Sequence, residues 1–183
     1  TLDLFDCYFF MEKTAKKKVA KKVDYSEKII TSYKDYLLRH GKRPASVYQF
    51  MSDLKLKEEE FYKYFSTFEG IDAEVWKLYA SHTIESIKSE KVFAEYGVRE
   101  KMLSFYFTLI EVLKKERSYV NMTFKHSKKP EFTPAHLKHF KNTFEDFASE
   151  IIEEGMNSEE IVQRPVLSDR YKDGFWLQVL FII

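Results

Sequence analysis

Cysteine occurs once in the 183 residues, at Cys7. That excludes an internal disulfide and a cysteine-rich metal centre, and fits a reducing, cytoplasmic setting. Glycine (5) and proline (4) are scarce as well, so few positions punctuate helices or make tight turns. A Gly-rich phosphate loop is missing, and no run approaches the roughly 20 apolar residues of a membrane-spanning helix. An excess of one charge is also missing, because Lys+Arg 30 against Asp+Glu 29 leave a formal net charge of +1. Any nucleic-acid surface must therefore arise from segregation of charge. There is no internal repeat and no heptad array. His136 and His139 stand three apart with no third ligand at metal-binding spacing, so no metal site is expected. No nucleophile–base motif is recognisable, and the chain reads as a non-enzyme without a cofactor.

Aromatic residues are abundant, with 17 Phe and 12 Tyr. Apolar residues recur at helical intervals almost throughout, which predicts an all-α protein. The opening TLDLFDCYFF is interrupted by aspartates, and its basic stretch follows the apolar one, the reverse of a secretory signal. Met11 is the expected natural start, with residues 1–10 upstream of it. MEKTAKKKVAKKV (11–23) is lysine-rich, so residues 1–23 read as a basic arm. At the other end GFWLQVLFII stops in mid-run without a cap, and truncation is expected there.

Between these ends the spacing predicts a first helix from Asp24, with Glu27 as its capping-box partner, to Gly41. Ser46 and Gln49 cap a second, whose apolar side is Val47, Phe50, Met51 and Leu54. After the turn Leu54–Lys57, Phe61, Tyr62 and Phe65 mark a short third helix. Three helices with a tight turn between the last two make a helix-turn-helix, expected over 24–71. Longer helices follow over about 72–89, 98–115 and 118–127. Another is expected from Thr133-Pro134 to Gly155, and a last one after Ser168. Residues 72–183 thus read as a larger helical bundle.

The stretch IITSYKDYLLRHG, the capped ASVYQFMSDLKL and the closing FYKYF resemble, without gaps over 29–71, the DNA-binding domain of the tetracycline-repressor (TetR/AcrR) family of bacterial regulators. The helical remainder, especially SDRYKDGFWLQVLFII, is similar to that family's ligand-binding and dimerising domain. The resemblance implies a two-fold dimer, joined through its C-terminal helices, that binds double-stranded operator DNA. A small hydrophobic effector in the larger domain would release it. Ser46 would cap the second helix and touch a phosphate, and Tyr62 and Tyr64 would reach the sugar-phosphate backbone. Lys57, Glu58, Glu59 and Lys63 would lie nearest the bases, with Lys42, Arg43 and Tyr48 completing the surface. The effector would meet Trp76, Tyr79, Phe105, Phe124, Phe140, Phe144 and Phe147, with His82 and His126 as polar tips. The same aromatic stripes also read as plain core.

Three departures bear on DNA binding. Lys55 stands where the family has a turn glycine, and a non-glycine residue there in the left-handed region costs about 1 kcal/mol. Phe68 replaces a phosphate-contacting lysine. Glu58, Glu59 and Glu60 open the recognition helix. Carboxylates in a first turn favour helix formation by about 0.3–1 kcal/mol each, yet one about 4 Å from a phosphate is repelled by roughly 1 kcal/mol even in water. Two readings stay open: a glutamate reads cytosine N4 while the lysine arm supplies attraction, or the fold has given up DNA and carries a lipid-like molecule.

Overall fold

The computed structural model describes residues 24–125, 133–162 and 170–183. The expected arm (1–23), His126, Pro165 and Ser168 lie outside them. The described residues are helical and contain no strand: α1 Ser26–His40, α2 Val47–Asp53, α3 Glu58–Tyr62, α4 Phe68–Lys88, α5 Val98–Lys115, α6 Arg117–Lys125, α7 Lys138–Asn157 and α8 Tyr171–Ile182. Short 3-10 turns at Lys91–Glu95 and Ala135–Leu137 join them.

The head of the molecule has the expected three helices, but α1 starts at Ser26 behind Tyr25 with no side-chain cap, so the expected capping box with Glu27 is not formed. Asp24 accepts from the Ser26 N–H (2.8 Å) at the start of α1, and Gly41 ends that helix with φ 67, its N–H returning to Leu37 O. Ser46 Oγ accepts from the Gln49 N–H (3.2 Å), capping α2. In the turn Lys55 has φ 57, the left-handed conformation expected of the glycine it replaces. Ile29, Tyr33 and Leu37 of α1 close over Phe50, Met51 and Phe61, all buried. Tyr33 stacks on Phe68 (5.5 Å) while Phe50 and Phe61 meet the same ring edge-on. Phe68, standing where the resemblance places a lysine, is thus a packing residue that ties α4 to the head.

Two helix starts differ from expectation. α4 begins at Phe68 and not near 72, because Thr67 Oγ1 accepts from the Gly70 N–H (3.2 Å) and carries the helix through the glycine. The position between 71 and 72 expected as a domain boundary therefore falls inside one continuous helix. Thr133 does not cap α7 directly. Pro134 is extended, a 3-10 turn intervenes, and the Thr133 hydroxyl accepts from Trp176 Nε1 (3.3 Å) on α8.

α4 is the axle of the body. It packs on α7, α5 and the Ala135–Leu137 turn, with α8 against α7 and α1 against α6. Val75, Trp76, Tyr79, Thr83 and Ile87 line its buried face, opposite Phe105, Leu109, Phe140, Phe144 and Phe147. Each such apolar side chain contributes about 1.5–3 kcal/mol on burial.

Gly155 was expected to end α7, but the helix runs on to Asn157. A Cβ at 155 would stand 2.4 Å from Val98 Cγ2 and 3.0 Å from Ile161 Cδ1, so the glycine permits close approach of α7 to the start of α5. Gly155→Ala should lower stability by about 1–3 kcal/mol through overpacking, read as a fall in denaturation midpoint. At Lys55, Lys55→Gly should be neutral or slightly stabilising and Lys55→Val destabilising by over about 1 kcal/mol. Thermal melts of the two variants separate these outcomes.

Candidate nucleic-acid interface and the joint behind it

α3 is short, and Phe61 anchors it in the core while its other side faces out. Tyr62 is 56% exposed there, and Tyr48 on α2 is 70% exposed. Lys42, Ser46, Lys57, Glu59 and Lys63 are exposed on the same two helices and their approaches, with Glu58 half-buried. The acidic run is partly engaged within the helix. Glu58 Oε1 accepts from the Tyr62 hydroxyl (3.2 Å), and Glu60 is paired with Lys63. Burial, then Glu58, raises the Tyr62 phenol pKa, so it stays a protonated donor. At the tip Tyr62 and Lys63 thus already have carboxylate partners, while Tyr48, Lys42 and Lys57 are exposed.

Two residues expected at the DNA surface turn inward. Tyr64 is half-buried, its hydroxyl accepting from the Tyr25 N–H (3.3 Å) at the start of α1. Arg43 donates through Nη2 to Asp72 Oδ2 (2.7 Å) and through Nη1 to Glu69. Both side chains hold the head together instead of offering themselves to a ligand.

Asp72 is the residue the sequence reading missed. It is 2% exposed and sits on the apolar face of α4, three, four and seven residues before Val75, Trp76 and Tyr79. A carboxylate on such a face needs partners, because an unpaired buried charge is prohibitive. Three elements supply them: Tyr33 of α1 donates to Oδ2 (3.2 Å), Tyr119 of α6 to Oδ1 (2.6 Å), and Arg43 closes the charge. Burial, then the Asp72 charge, drives the phenol pKa of both tyrosines upward, which keeps each a donor. A second tie runs alongside. Lys34 of α1 pairs with Glu116 (2.8 Å), which follows α5, with its ammonium over the Tyr119 ring (5.3 Å).

The proposed effector-binding aromatics are packed ring against ring. Trp76 meets Tyr79 (5.7 Å), Phe124 (5.7 Å) and Phe140 (6.0 Å), and Phe105 meets Phe144 (5.0 Å) and Phe147 (5.4 Å). Their neighbours fill the space an effector would need. His82 is exposed and so is not a polar tip of that cluster. The histidine inside it is His136, whose ring lies 5.7 Å from Trp76 and 5.1 Å from Phe124 with Nε2 buried and unpaired. A ≈ 470 Å³ trough lies elsewhere, between α5 and α8, lined by Met102, Leu103, Tyr106, Ile161 and Phe175 with Arg99 at its side. Among the described residues no His/Cys/Asp/Glu group is placed to hold a metal, and no helix is long and apolar enough to cross a membrane.

Comparison with known proteins now bears on this arrangement. Residues 101–183 match the family model of the tetracyclin repressor-like C-terminal domain. The C-terminal part of the chain is thus similar to that of the TetR family. A solved structure described as a TetR-family transcriptional regulator from Syntrophomonas wolfei str. Goettingen shares its fold, with TM-score 0.60 and 23% identity over 77% of this chain and 72% of that chain. A search of curated proteins gives no significant match. Within this fold the head and body meet at Asp72.

Asp72→Ala should cost about 3 kcal/mol, the low end for removing one partner of a buried pair, since Arg43 keeps Glu69. Denaturant titration reads this directly. His136 gives a pH signature. Burial lowers its pKa below 6.5, the nearby Asp72 carboxylate opposes that and Arg43 adds to it. The unfolded chain therefore binds the proton more readily, and stability should fall as pH drops below about 6.5. His136→Phe should reduce that slope in melts taken between pH 7 and 5.

Proposed function

We propose that the chain is a cytoplasmic transcriptional regulator that binds operator DNA as a two-fold dimer and is released by a small hydrophobic effector. The observation that carries this reading is the outward presentation of α3, with Tyr62, Lys57 and Lys63 exposed around the buried Phe61. In a helix-turn-helix the second helix enters the major groove, with the first crossing the backbone. Tyr48 and Ser46 on α2, and Lys42 before it, then lie toward phosphates, while Glu58 and Glu59 stand at the base-facing end. A glutamate facing cytosine N4 gives base choice at the expense of phosphate attraction. Affinity in this reading is salt-sensitive and modest.

The dimer forms through α8, where Leu177 is 42% and Phe181 90% exposed on an otherwise apolar helix. The effector occupies the trough between α5 and α8, whose ≈ 470 Å³ falls within the usual range for small-molecule sites. Operator and effector favour different spacings of the two heads, so each weakens the other's binding. The joint at Asp72 supports this mechanism, because motion of α6 through Tyr119 is felt by α1 through Tyr33 at the same carboxylate.

A second reading keeps the fold and the effector but drops DNA. Its support is the tip itself, where Glu58 and Glu60 already take the hydroxyl of Tyr62 and the ammonium of Lys63.

Gel-shift titration on the DNA upstream of the chain's own coding region, at low and moderate salt, separates the two. Regulator function predicts a sequence-specific shift that weakens with salt, and no shift at either salt favours the second reading. Glu58→Lys combined with Glu59→Gly should raise non-specific affinity at least tenfold through added phosphate attraction, by roughly 1.4 kcal/mol. Phe181→Glu should convert the dimer to monomer in sedimentation while the helical circular-dichroism signal is kept.

A further inference from the structure

A second hollow lies where head and body meet. It is a ≈ 840 Å³ crevice bounded by α1, by the segment that follows α3, by the first turns of α4 and by α7. Ile30 and Leu78 give it apolar walls and Phe65 an aromatic floor, with Leu78 44% exposed in consequence. Gly70 contributes bare backbone. A Cβ at that position would meet only Thr67 Oγ1, at 3.9 Å, in ordinary contact. An alanine would fit there and favour the helix, so glycine here costs α4 stability and leaves the crevice deeper.

The charges in the lining are unequal. Lys63 is paired with Glu60, and Glu74 shares its charge with Lys77 (3.0 Å). Exposed Glu27 of α1 makes no ion pair among the described residues, and neither does His139 of α7, also in the lining, so Glu27 is the one carboxylate there without an ion-pair partner. A carboxylate at the edge of an apolar, aromatic-floored hollow attracts a cation that also has apolar surface to bury.

We infer that the crevice between Glu27, Phe65, Gly70 and Leu78 is a binding site for an amphipathic organic cation, separate from the α5–α8 trough. The cationic centre lies against Glu27, with Glu74 on the facing helix, and the apolar part covers Ile30, Phe65 and Leu78. The site is a matter of binding alone and does not depend on whether α3 reads DNA. Its occupant touches both head and body, so it reinforces the angle that the Asp72 contacts set between them.

Isothermal titration of the full chain, without DNA, with tetraphenylphosphonium and with tetraphenylborate tests the site. The two ions have nearly the same shape and opposite charge. The expected result is one-to-one binding of the cation, at least tenfold tighter than the anion. Glu27→Gln should remove most of that preference. Gly70→Met should fill the hollow and abolish binding, in a protein whose melting temperature is equal to or above that of the unaltered chain. Equal binding of both ions overturns the inference, as does cation binding that survives Gly70→Met, which would put the probe in the α5–α8 trough or on a non-specific apolar surface. A gel shift that fails leaves this result untouched, and failure here leaves the DNA reading untouched.

Discussion

A buried carboxylate sets the terms of this structure. Asp72 lies in the hydrophobic face of α4, the longest helix among the described residues, where its charge is tolerable only if every oxygen is occupied. Its partners come from α1, from the α1–α2 connection and from α6, so satisfying one side chain fixes three separate pieces of chain. Hydrophobic packing alone permits small rotations of a helical head on a helical body. Two phenol hydrogen bonds and a guanidinium on one carboxylate do not, because each needs its own direction and distance. The Lys34–Glu116 pair nearby adds a weaker, more exposed tie between the same parts.

The functional consequences follow from that rigidity. α3 is too short to hold its own orientation and depends on Phe61 and the ring cluster beneath it. Those rings rest on Phe68, the first residue of α4, four residues before Asp72. The position of Tyr62 at the surface is therefore set through a continuous chain of packed groups ending at the carboxylate. The aromatic residues around Trp76, by contrast, serve cohesion. Their rings contact one another at ordinary packing distances, and the open volumes lie at the edges of the body.

The periodic features of this fold were readable from the residues. Spacing placed α5 at the same bounds as the structure, Gly41 and Ser46 announced a helix end and a cap, and the family resemblance implied the left-handed turn found at Lys55. What escaped depends on contacts between distant residues. Gly155 looked like a break, yet it makes room for Val98, and α4 runs through Gly70 from a cap made by the Thr67 hydroxyl. His82 and His136 are chemically alike in sequence, and only the packing of the Ala135–Leu137 turn on α4 decides that one is in solvent and the other beside Trp76. Arg43 counted as a DNA-facing cation for want of any sign that Glu69 and Asp72 would take it. The one available signal was Asp72 itself, a charge interrupting an apolar stripe.

In the regulator proposed above, the body holds the head at one angle and presents α3 outward, paired across a two-fold axis at a distance the DNA groove accepts. Pulsed electron paramagnetic resonance measures this most directly, on a chain carrying Cys7→Ser and a spin label at Lys57→Cys. A helix-turn-helix dimer facing successive major grooves predicts a narrow distance distribution centred at about 34–36 Å, widened by the label arms. The absence of any dipolar coupling, or a narrow distribution far from one helical turn, would contradict the account.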